Sequence, residues 1–260
     1  MLKGKHALVT GSTSGIGEGI AKKLAEAGCN ITLNGFGDAK VIETLMQSIA
    51  EDSGVQVHYS GADLTKAAAI ETMMGEATEA LGPVDILVNN AGIQHVSPVE
   101  SFPPEKWDLV IALNLTAAFH TTRLALAGMR ERGYGRIINI ASAHGLVASA
   151  QKSAYVASKH GIIGLTKVVG LEVAGSGVTC NAICPGWVLT PLVQQQIEAK
   201  AAAKGCSVKE AELDLLSEKQ PSKQFVTPAQ LGALAVFLSS EDAGQITGSA
   251  YSMDGGWVAQ

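Results

Sequence analysis

The stretch Thr10-Gly11-Ser12-Thr13-Ser14-Gly15-Ile16-Gly17 is the strongest indication of fold class in this 260-residue chain. It follows a short apolar run that we interpret as a strand, and it leads into a segment of helical periodicity. In this setting Gly11 makes a tight turn, Gly15 lets the backbone approach a pyrophosphate, and Gly17 permits close packing of the helix. Backbone N–H groups at the start of a helix attract phosphate. The stretch therefore predicts a dinucleotide site, although an ordinary glycine-rich loop would contain the same glycines.

The rest of the chain alternates short apolar runs with longer segments of helical period. The predicted strands are residues 7–9, 31–33, 55–59, 86–88, 137–140, 178–183 and 250–253. The predicted helices are residues 16–27, 39–51, 66–81, 104–132, 153–174 and 228–238. Strands that are apolar along their whole length are buried on both faces, as in a parallel sheet between two helix layers. We therefore predict an α/β fold, a single domain over residues 1–260 with a doubly wound Rossmann-type parallel sheet of about seven strands.

One segment departs from this alternation. Residues 190–224, here called the lid segment, are mostly helical in pattern and rich in Ala, Glu and Lys. They stand between the sixth predicted strand and the last predicted helix. A long excursion of this kind is often a cover over an active site, so we predict a helical substrate lid within the domain.

Composition excludes several classes of protein. The chain is 47% hydrophobic and 17% charged, with 19 basic and 24 acidic residues and a net charge of -5. Without a basic run to follow a phosphate backbone, we expect no nucleic-acid partner. The four cysteines form no CxxC pair and have no zinc-like spacing to histidine, which predicts reduced thiols and no metal site. No apolar stretch resembles a signal core or a span of about 20 residues, so we expect a cytoplasmic protein with no membrane partner.

Further motifs follow the first turn in a fixed order. They are Thr10-Gly11-xxx-Gly15-x-Gly17, Asn89-Asn90-Ala91-Gly92, Asn114, Ser142, Tyr155-xxx-Lys159, and Pro185-Gly186 with Thr190 beyond it. In this form and order they resemble the short-chain dehydrogenase/reductase family over essentially all 260 residues. The resemblance implies a nicotinamide-dependent oxidoreductase, which is a more specific expectation than any one motif supports.

Tyr155 and Lys159 carry the predicted chemistry. Oxidation of an alcohol needs a base for the hydroxyl proton, and tyrosine, with an ordinary pKa of about 10, is a poor base at neutral pH. Lys159 shares a helix face with Tyr155, so that its ammonium can stabilise the phenolate. The resemblance implies that Lys159 also holds the nicotinamide ribose, that Ser142 bonds the substrate oxygen, and that Asn114 completes a proton relay through water. The alternatives are an ordinary surface pair for Tyr155 and Lys159 and a buried structural amide for Asn114.

The second predicted strand bears on the choice of cofactor. It ends in Leu33-Asn34-Gly35-Phe36-Gly37, without the Asp that often binds the ribose in NAD enzymes of this family. No Arg or Lys for a 2′-phosphate occurs there before Lys40. We therefore predict NAD, with Phe36 packed against the adenosine. Asp63 resembles an adenine contact, and as an alternative or in addition it is predicted to cap the helix that follows.

The resemblance and the residues together give the predicted cofactor contacts. They are Gly11, Thr13, Ser14, Gly15, Ile16, Gly17, Phe36, Asp63, Leu64, Asn90, Ala91, Gly92, Tyr155, Lys159, Pro185, Gly186, Val188 and Thr190.

Several polar residues near these motifs predict a small anionic substrate. Lys152 can neutralise a carboxylate, and Gln94, His144 and Gln196 can bond its oxygens. Trp187 and Trp257 can close the apolar side of the pocket. The predicted substrate contacts are Gln94, Ser142, His144, Lys152, Tyr155, Trp187, Gln196 and Trp257. Each of the additional polar and Trp residues also has a structural interpretation, such as a solvated lysine or packing of the chain terminus.

Four local stretches, residues 89–95, 138–149, 181–188 and 217–222, resemble a bacterial subgroup of the family. This resemblance implies NAD-dependent interconversion of the 3-hydroxyacid (R)-3-hydroxybutyrate and the 3-ketoacid acetoacetate, in a homotetramer. Two alternatives stay open: a 3-ketoacyl thioester reductase that uses NADPH, and a non-catalytic dinucleotide sensor on the same fold.

Overall fold

The computed structural model describes residues 2–259, except for the side chain of residue 192. Within this range the chain forms one seven-stranded parallel sheet in the order β3-β2-β1-β4-β5-β6-β7. The strands are β1 His6–Val9, β2 Asn30–Asn34, β3 Val57–Ser60, β4 Ile86–Asn89, β5 Gly135–Ile140, β6 Val178–Pro185 and β7 Ala250–Met253. The predicted strands are therefore confirmed, and most of them extend further in the structure.

Helices cover both faces of this sheet. They are α1 Gly15–Glu26, α2 Ala39–Ser53, α3 Ala67–Leu81, α4 Pro104–Ile111, α5 Ala117–Glu131, α6 Ser153–Glu172, α7 Pro191–Lys204, α8 Val208–Ser217 and α9 Pro228–Ser239. One apolar core lies on the side of α1 and α9 and contains Leu24 and Leu231. A second core lies on the side of α3 and α5 and contains Met73 and Met129. The doubly wound α/β prediction is confirmed.

The strand order places the carboxyl ends of β1 and β4 side by side. Strand β1 pairs with β2 on one side and with β4 on the other, so the winding direction reverses between β1 and β4. In sheets of this type, the loops after the two strands at the reversal part and leave a crevice where ligands bind. The fold thus brings the loop after β1 and the loop after β4 to one place.

The predicted helix over residues 104–132 is confirmed over Pro104–Glu131, with one irregular turn inside it. Helices α4 and α5 are joined by a π turn over Ala112–Thr116, which has one residue more than an α-helical turn. The sequence pattern does not reveal this wide turn because composition and apolar period are nearly the same on either side of it. By length and composition Pro104–Glu131 could cross a membrane, but core helices of soluble proteins meet the same test, and α5 packs against α3 and β4.

The lid segment is a pair of helices with a small apolar core of its own. Thr190 begins α7 and accepts a hydrogen bond from the Val193 N–H at 3.3 Å. Gly205 ends α7 in a left-handed conformation, φ 66°, and Ser207 begins α8 in a capping box with Glu210. Both helices of the lid segment thus have strong local start or stop signals, and the segment folds as a unit beside the sheet.

Candidate active site

A cavity of about 1100 Å³ opens at the carboxyl ends of the strands. This volume lies slightly above the usual range for ligand pockets, about 300–1,000 Å³. Every predicted site residue lines the cavity except Gly17 and Asn114, which lie directly behind its wall. We call the part next to β1 and β2 the dinucleotide end and the part next to the lid segment the substrate end.

The first turn at the dinucleotide end requires glycine. Gly11 has a left-handed φ of 61°, and a Cβ there would lie 2.8 Å from the Ala91 Cα. A Cβ at Gly17 would collide with the Gly11 carbonyl and lie 2.5 Å from the Asn90 Nδ2. The Asn90 amide donates to the carbonyls of Thr10 and Gly11 at 2.8 and 2.9 Å. The loop after β4 therefore holds the first turn through hydrogen bonds that only a close backbone approach permits.

The start of α1 has the chemistry of an anion site. Ser14 stands at the N-cap position, but its side chain makes no hydrogen bond to the helix. The first N–H groups of the helix thus keep their capacity to bind an acceptor, and they face the cavity through Gly15 and Ile16. The glycine turn, the free helix start and the cavity volume together fit a dinucleotide.

The end of β2 is fixed by buried hydrogen bonds. Asn34 is buried and donates to the carbonyls of Ser60 and Ala62, each at 3.1 Å. Beyond it, the Phe36 side chain is 70% exposed at the cavity rim, and its carbonyl accepts from Thr13 Oγ1 at 3.0 Å. An exposed aromatic ring at this rim offers a surface on which a flat ring can stack.

Asp63 does not cap the helix that follows it. Its carboxylate accepts from the backbone N–H and the hydroxyl of Thr65, at 3.0 and 2.7 Å, and these bonds lower the pKa of Asp63. Helix α3 has Lys66 at its N-cap position, with no side-chain hydrogen bond. The capping interpretation was wrong because the chain makes a tight Asx turn before the helix begins. The carboxylate of Asp63 still lines the dinucleotide end.

Tyr155 and Lys159 lie one turn apart on α6 and line the middle of the cavity. The Lys159 Nζ is 5.7 Å from the centre of the Tyr155 ring and donates to the Ile140 carbonyl at 2.7 Å. Burial lowers the pKa of Lys159 to about 8. Burial also raises the pKa of Tyr155, an effect opposed by a hydrogen bond with Ser142. In the free protein the tyrosine therefore carries its proton at neutral pH.

Asn114 lies in the π turn and is 2% exposed. Its Oδ1 accepts from the Ile93 N–H at 2.8 Å, and its Nδ2 donates to the Ile93 carbonyl at 2.9 Å and to Ser158 Oγ at 3.1 Å. Asn114 thus ties the loop after β4 to α6, close to Lys159, and its amide is satisfied by a neighbouring loop. Gly92 packs against Asn114 and Lys159. A Cβ at this position would be 3.2 Å from Asn114 Oδ1 and 3.6 Å from Lys159 Nζ.

Two tryptophans and a histidine form one wall of the substrate end. The ring centres of Trp187 and Trp257 are 6.3 Å apart, and that of His144 is 5.1 Å from Trp257 and 5.9 Å from Tyr155. His144 Nε2 hydrogen-bonds Ser149 Oγ at 2.8 Å. Burial, assisted by nearby positive charge, lowers the pKa of His144 to about 4, so its ring is neutral at physiological pH.

Lys152 supplies positive charge to the same end. Its Nζ is 5.8 Å from the Trp187 ring. Burial lowers the pKa of Lys152, and the positive charge of Lys219 lowers it further by a smaller amount. Among the described residues that line the cavity, the lysines are Lys152 and Lys159, and no arginine is present. Gln94, after β4, and Gln196, on α7, also line the cavity. The site thus places a cation and three neutral hydrogen-bonding side chains around an apolar wall.

Sequence reasoning did not identify several lining residues. Asn34, Ile93 and Leu113 all line the cavity, and Ile93 supplies the backbone groups that bind Asn114. Asn34 is a polar residue at the end of an apolar strand, and this position at the carboxyl edge of a parallel sheet was the available signal. The others are apolar residues that resemble ordinary core.

Comparison with known proteins identifies the family of this chain. The sequence model of the family described as short chain dehydrogenase matches residues 5–201. D-beta-hydroxybutyrate dehydrogenase of Cupriavidus necator is 65% identical over 260 residues, covering 100% of both chains. The enzyme of the same name from Rhizobium meliloti is 54% identical, covering 98% of this chain and 99% of its own. The structure is also similar to that of L-sorbose reductase from Gluconobacter frateurii complexed with NADPH and L-sorbose, with a TM-score of 0.94, 31% identity, and coverage of 99% and 98% of the two chains.

Proposed function

Because the chain belongs to the short-chain dehydrogenase family of oxidoreductases, we propose that it interconverts (R)-3-hydroxybutyrate and acetoacetate with NAD. The observation that carries the proposal is the position of Lys152 beside the Trp187 ring, which itself lies next to Trp257, in the same cavity as Tyr155. A cation next to a small apolar wall matches a short acid with a terminal methyl group. The proposal is also supported by the name shared by two full-length relatives.

The dinucleotide end would hold the cofactor through its backbone. The N–H groups at the start of α1 would bind the pyrophosphate, and the loops after β4 and β6, which line the cavity at Gly92 and Gly186, would lie against the nicotinamide. When bound, NAD supplies the acceptor for the hydride from the carbinol carbon. Lys159, which lies beneath Gly92, bonds the nicotinamide ribose.

Tyr155 would move the proton in this reaction. In the oxidation its phenolate oxygen accepts the proton of the substrate hydroxyl, while Ser142 bonds the same substrate oxygen. Burial raises the pKa of Tyr155 and the hydrogen bond with Ser142 lowers it, and the Lys159 ammonium, 5.7 Å from the ring centre, would further favour the phenolate. Asn114 keeps the Ile93 backbone and α6 in register, and water between Asn114 and Lys159 would carry the proton to solvent.

The substrate end would bind the carboxylate. Lys152 neutralises it, and Gln94, His144 and Gln196 donate hydrogen bonds to its oxygens. Because the His144 ring is neutral, it acts as a hydrogen-bond donor and adds no second charge. The lid segment, which carries Gln196 on α7, would close over this end once the substrate is bound.

NAD is proposed over NADP from the same dinucleotide end. A 2′-phosphate needs Arg or Lys, and the two lysines that line the described cavity lie with Tyr155 and Trp187 rather than near Phe36. We also propose a homotetramer in the cytoplasm. Apolar side chains of α5 and α6 are exposed, with Phe119 at 48% and Leu171 at 79%, and such faces are usually covered by another subunit.

The assay is NADH formation at 340 nm with (R)-3-hydroxybutyrate, its (S) isomer and longer 3-hydroxyacids, repeated with NADP. We expect turnover of the (R) isomer with NAD, with a much lower kcat/KM for the other combinations. No turnover of any acid despite tight NAD binding would contradict the enzyme proposal, and preference for a 3-ketoacyl thioester with NADPH would replace it. Light scattering at micromolar concentration tests the assembly, and a monomer would exclude the tetramer.

A further inference from the structure

Gln220 is a buried polar residue that does not line the cavity. It lies just beyond α8, in the stretch Ser-Glu-Lys-Gln-Pro-Ser over residues 217–222, and it is 1% exposed. Its Oε1 accepts from the backbone N–H of Trp187 at 2.8 Å, and its Nε2 donates to the Gln224 carbonyl. One side chain therefore joins the end of the lid segment to the loop after β6.

The turn that follows Gln220 also fits against a second loop of the site. A Cβ at Gly255, whose φ is 59°, would lie 2.7 Å from the Gln220 Cγ. The Ser222 N–H donates to the Gly255 carbonyl at 3.0 Å. Gly255 begins the turn that leads to Trp257, which is 7% exposed at the substrate end. Through Gln220 and Ser222 the same turn thus contacts the backbone leading to both tryptophans.

A third contact continues this attachment along the chain. The Val226 N–H donates to the Trp187 carbonyl at 2.9 Å, and Leu189 donates to the Val226 carbonyl at 3.2 Å. Gln220 thus binds the N–H of Trp187, and Val226 binds its carbonyl. A buried N–H that loses its acceptor costs about 1–3 kcal/mol, so the alternative positions of this loop are unfavourable while Gln220 is in place.

We propose that Gln220 is a positioning residue that sets the spacing of Trp187 and Trp257 and so determines how long an acid the substrate end accepts. It touches neither substrate nor cofactor, and it acts through the backbone of the two loops. The proposal rests on the proposed function, because it assigns the two rings to the methyl end of a four-carbon acid. It also gives the lid segment one fixed end, at Gln220, about which α7 and α8 can close.

The test is the ratio of kcat/KM for (R)-3-hydroxybutyrate to that for (R)-3-hydroxypentanoate, which is one methylene longer. A pocket of fixed size discriminates such a pair by roughly 10–200-fold. We expect Gln220→Met to lower this ratio at least fivefold, because the loop of Trp187 is no longer held. Gln220→Glu keeps an acceptor for the Trp187 N–H but loses the donor to the Gln224 carbonyl, so it should lower the ratio less than Gln220→Met does. If Gln220→Met does not fold, Gln220→Asn, whose shorter side chain cannot reach Trp187, replaces it.

The ratio separates positioning from stability, because partial unfolding lowers both kcat/KM values equally. As the matched control, Gln230→Met removes a glutamine that does not line the cavity and accepts from the Thr227 N–H at 2.9 Å, and it should leave the ratio unchanged. An unchanged ratio in Gln220→Met, or an equal change in Gln230→Met, would overturn the proposal.

Hydrogen exchange gives a second readout that does not depend on the substrate. Mass spectrometry of the peptide containing Trp187 should show at least tenfold faster amide exchange in Gln220→Met than in the wild type or in Gln230→Met. Unchanged exchange would overturn the proposal even if the protein turned over a different acid. Wild-type protein that turns over no 3-hydroxyacid but shows this faster exchange in Gln220→Met would refute the proposed function and leave the attachment of Trp187 established.

Discussion

The dinucleotide end of the cavity is made mainly of backbone, whereas the substrate end is made of side chains from distant parts of the chain. Gly11 and Gly17 work by the absence of a side chain, and Asn90 bonds backbone carbonyls. At the other end His144 and Trp257 come from segments more than 100 residues apart. A backbone site is specified by a short motif and tolerates few changes. A site of side chains can be altered one residue at a time, which is where substrate choice can vary within one fold.

The largest effect is expected where the two ends meet, at Tyr155. Replacing it by Phe removes the group proposed to move the proton, which is typically worth about 10²–10⁴ in rate. We expect kcat to fall by that amount while the Kd for NADH, from fluorescence titration, stays within twofold. Tyr134→Phe is the control, since Tyr134 bonds the Ser239 carbonyl away from the site. A kcat within tenfold of the wild type would exclude Tyr155 as the general base.

The next effect is expected at the substrate end alone. Lys152→Met removes the cation proposed to bind the carboxylate, and a hydrogen bond to a charged group contributes about 1.5–3 kcal/mol, or roughly 10–150-fold. We expect kcat/KM to fall by that factor with NADH binding unchanged, as measured by steady-state kinetics and titration. Lys209→Met, on the exposed face of α8, is the matched control. Equal kcat/KM values for the two variants would show that Lys152 is an ordinary solvated lysine that does not bind the substrate carboxylate.

The dinucleotide end is expected to respond in the opposite way. A Cβ at Gly17 would force apart the first turn and Asn90, and overpacking of this kind costs about 1–3 kcal/mol. Gly17→Ala should therefore weaken NADH binding by roughly 5–150-fold, while KM for the acid at saturating NAD changes little. Gly75→Ala, on α3 with open space around the new Cβ, should bind NADH normally. If Gly17→Ala changed KM for the acid but not NADH binding, the assignment of the cofactor to the dinucleotide end and of the acid to the substrate end would be wrong.

A smaller effect concerns pH and the neutral His144 ring. Its pKa is about 4 in the folded chain and about 6.5 in the unfolded chain, so between these values the unfolded state binds more protons. The free energy of unfolding should therefore fall as pH drops, by roughly 1.5–2 kcal/mol between about pH 6.5 and pH 5. Urea titrations of the wild type and of His144→Gln test this, since the variant should lose that part of the slope. If the free energy of unfolding depended on pH in the same way in both proteins, His144 would ionise equally in the folded and unfolded chains.

The family, the sheet and its two helix layers could be predicted from the sequence because each depends on local patterns. Apolar runs mark strands buried on both faces, and glycine spacing marks the first turn. The strand ends were less accurate because β2 and β4 continue into Asn34 and Asn89, buried polar residues that end an apolar run. Hydropathy reports an asparagine as exposed, but these two amides are satisfied by partners from other strands.

Parts of the site could not be predicted because they depend on contacts between distant segments. Gln220 has the sequence context of an exposed residue after a polar helix, and its burial follows only from the meeting of three loops. The hydrogen bonds of Asn114 depend on a π turn that has no distinct composition. The roles proposed for Gln94 and Gln196 also remain predictions. Both line the cavity, but their contacts with a substrate depend on how the lid segment closes.

The π turn also bears on which changes in chain length the protein can tolerate. Deleting one residue within Ala112–Thr116 would restore a regular α-helix with α4 and α5 still in phase, because the wide turn already accommodates the additional residue. The deletion would, however, remove the widened turn that presents Asn114 to the Ile93 backbone. An added residue between α7 and α8, near Gly205, removes no turn of this kind. Among natural variants of this chain, insertions and deletions are therefore expected at the α7–α8 connection and not in the π turn.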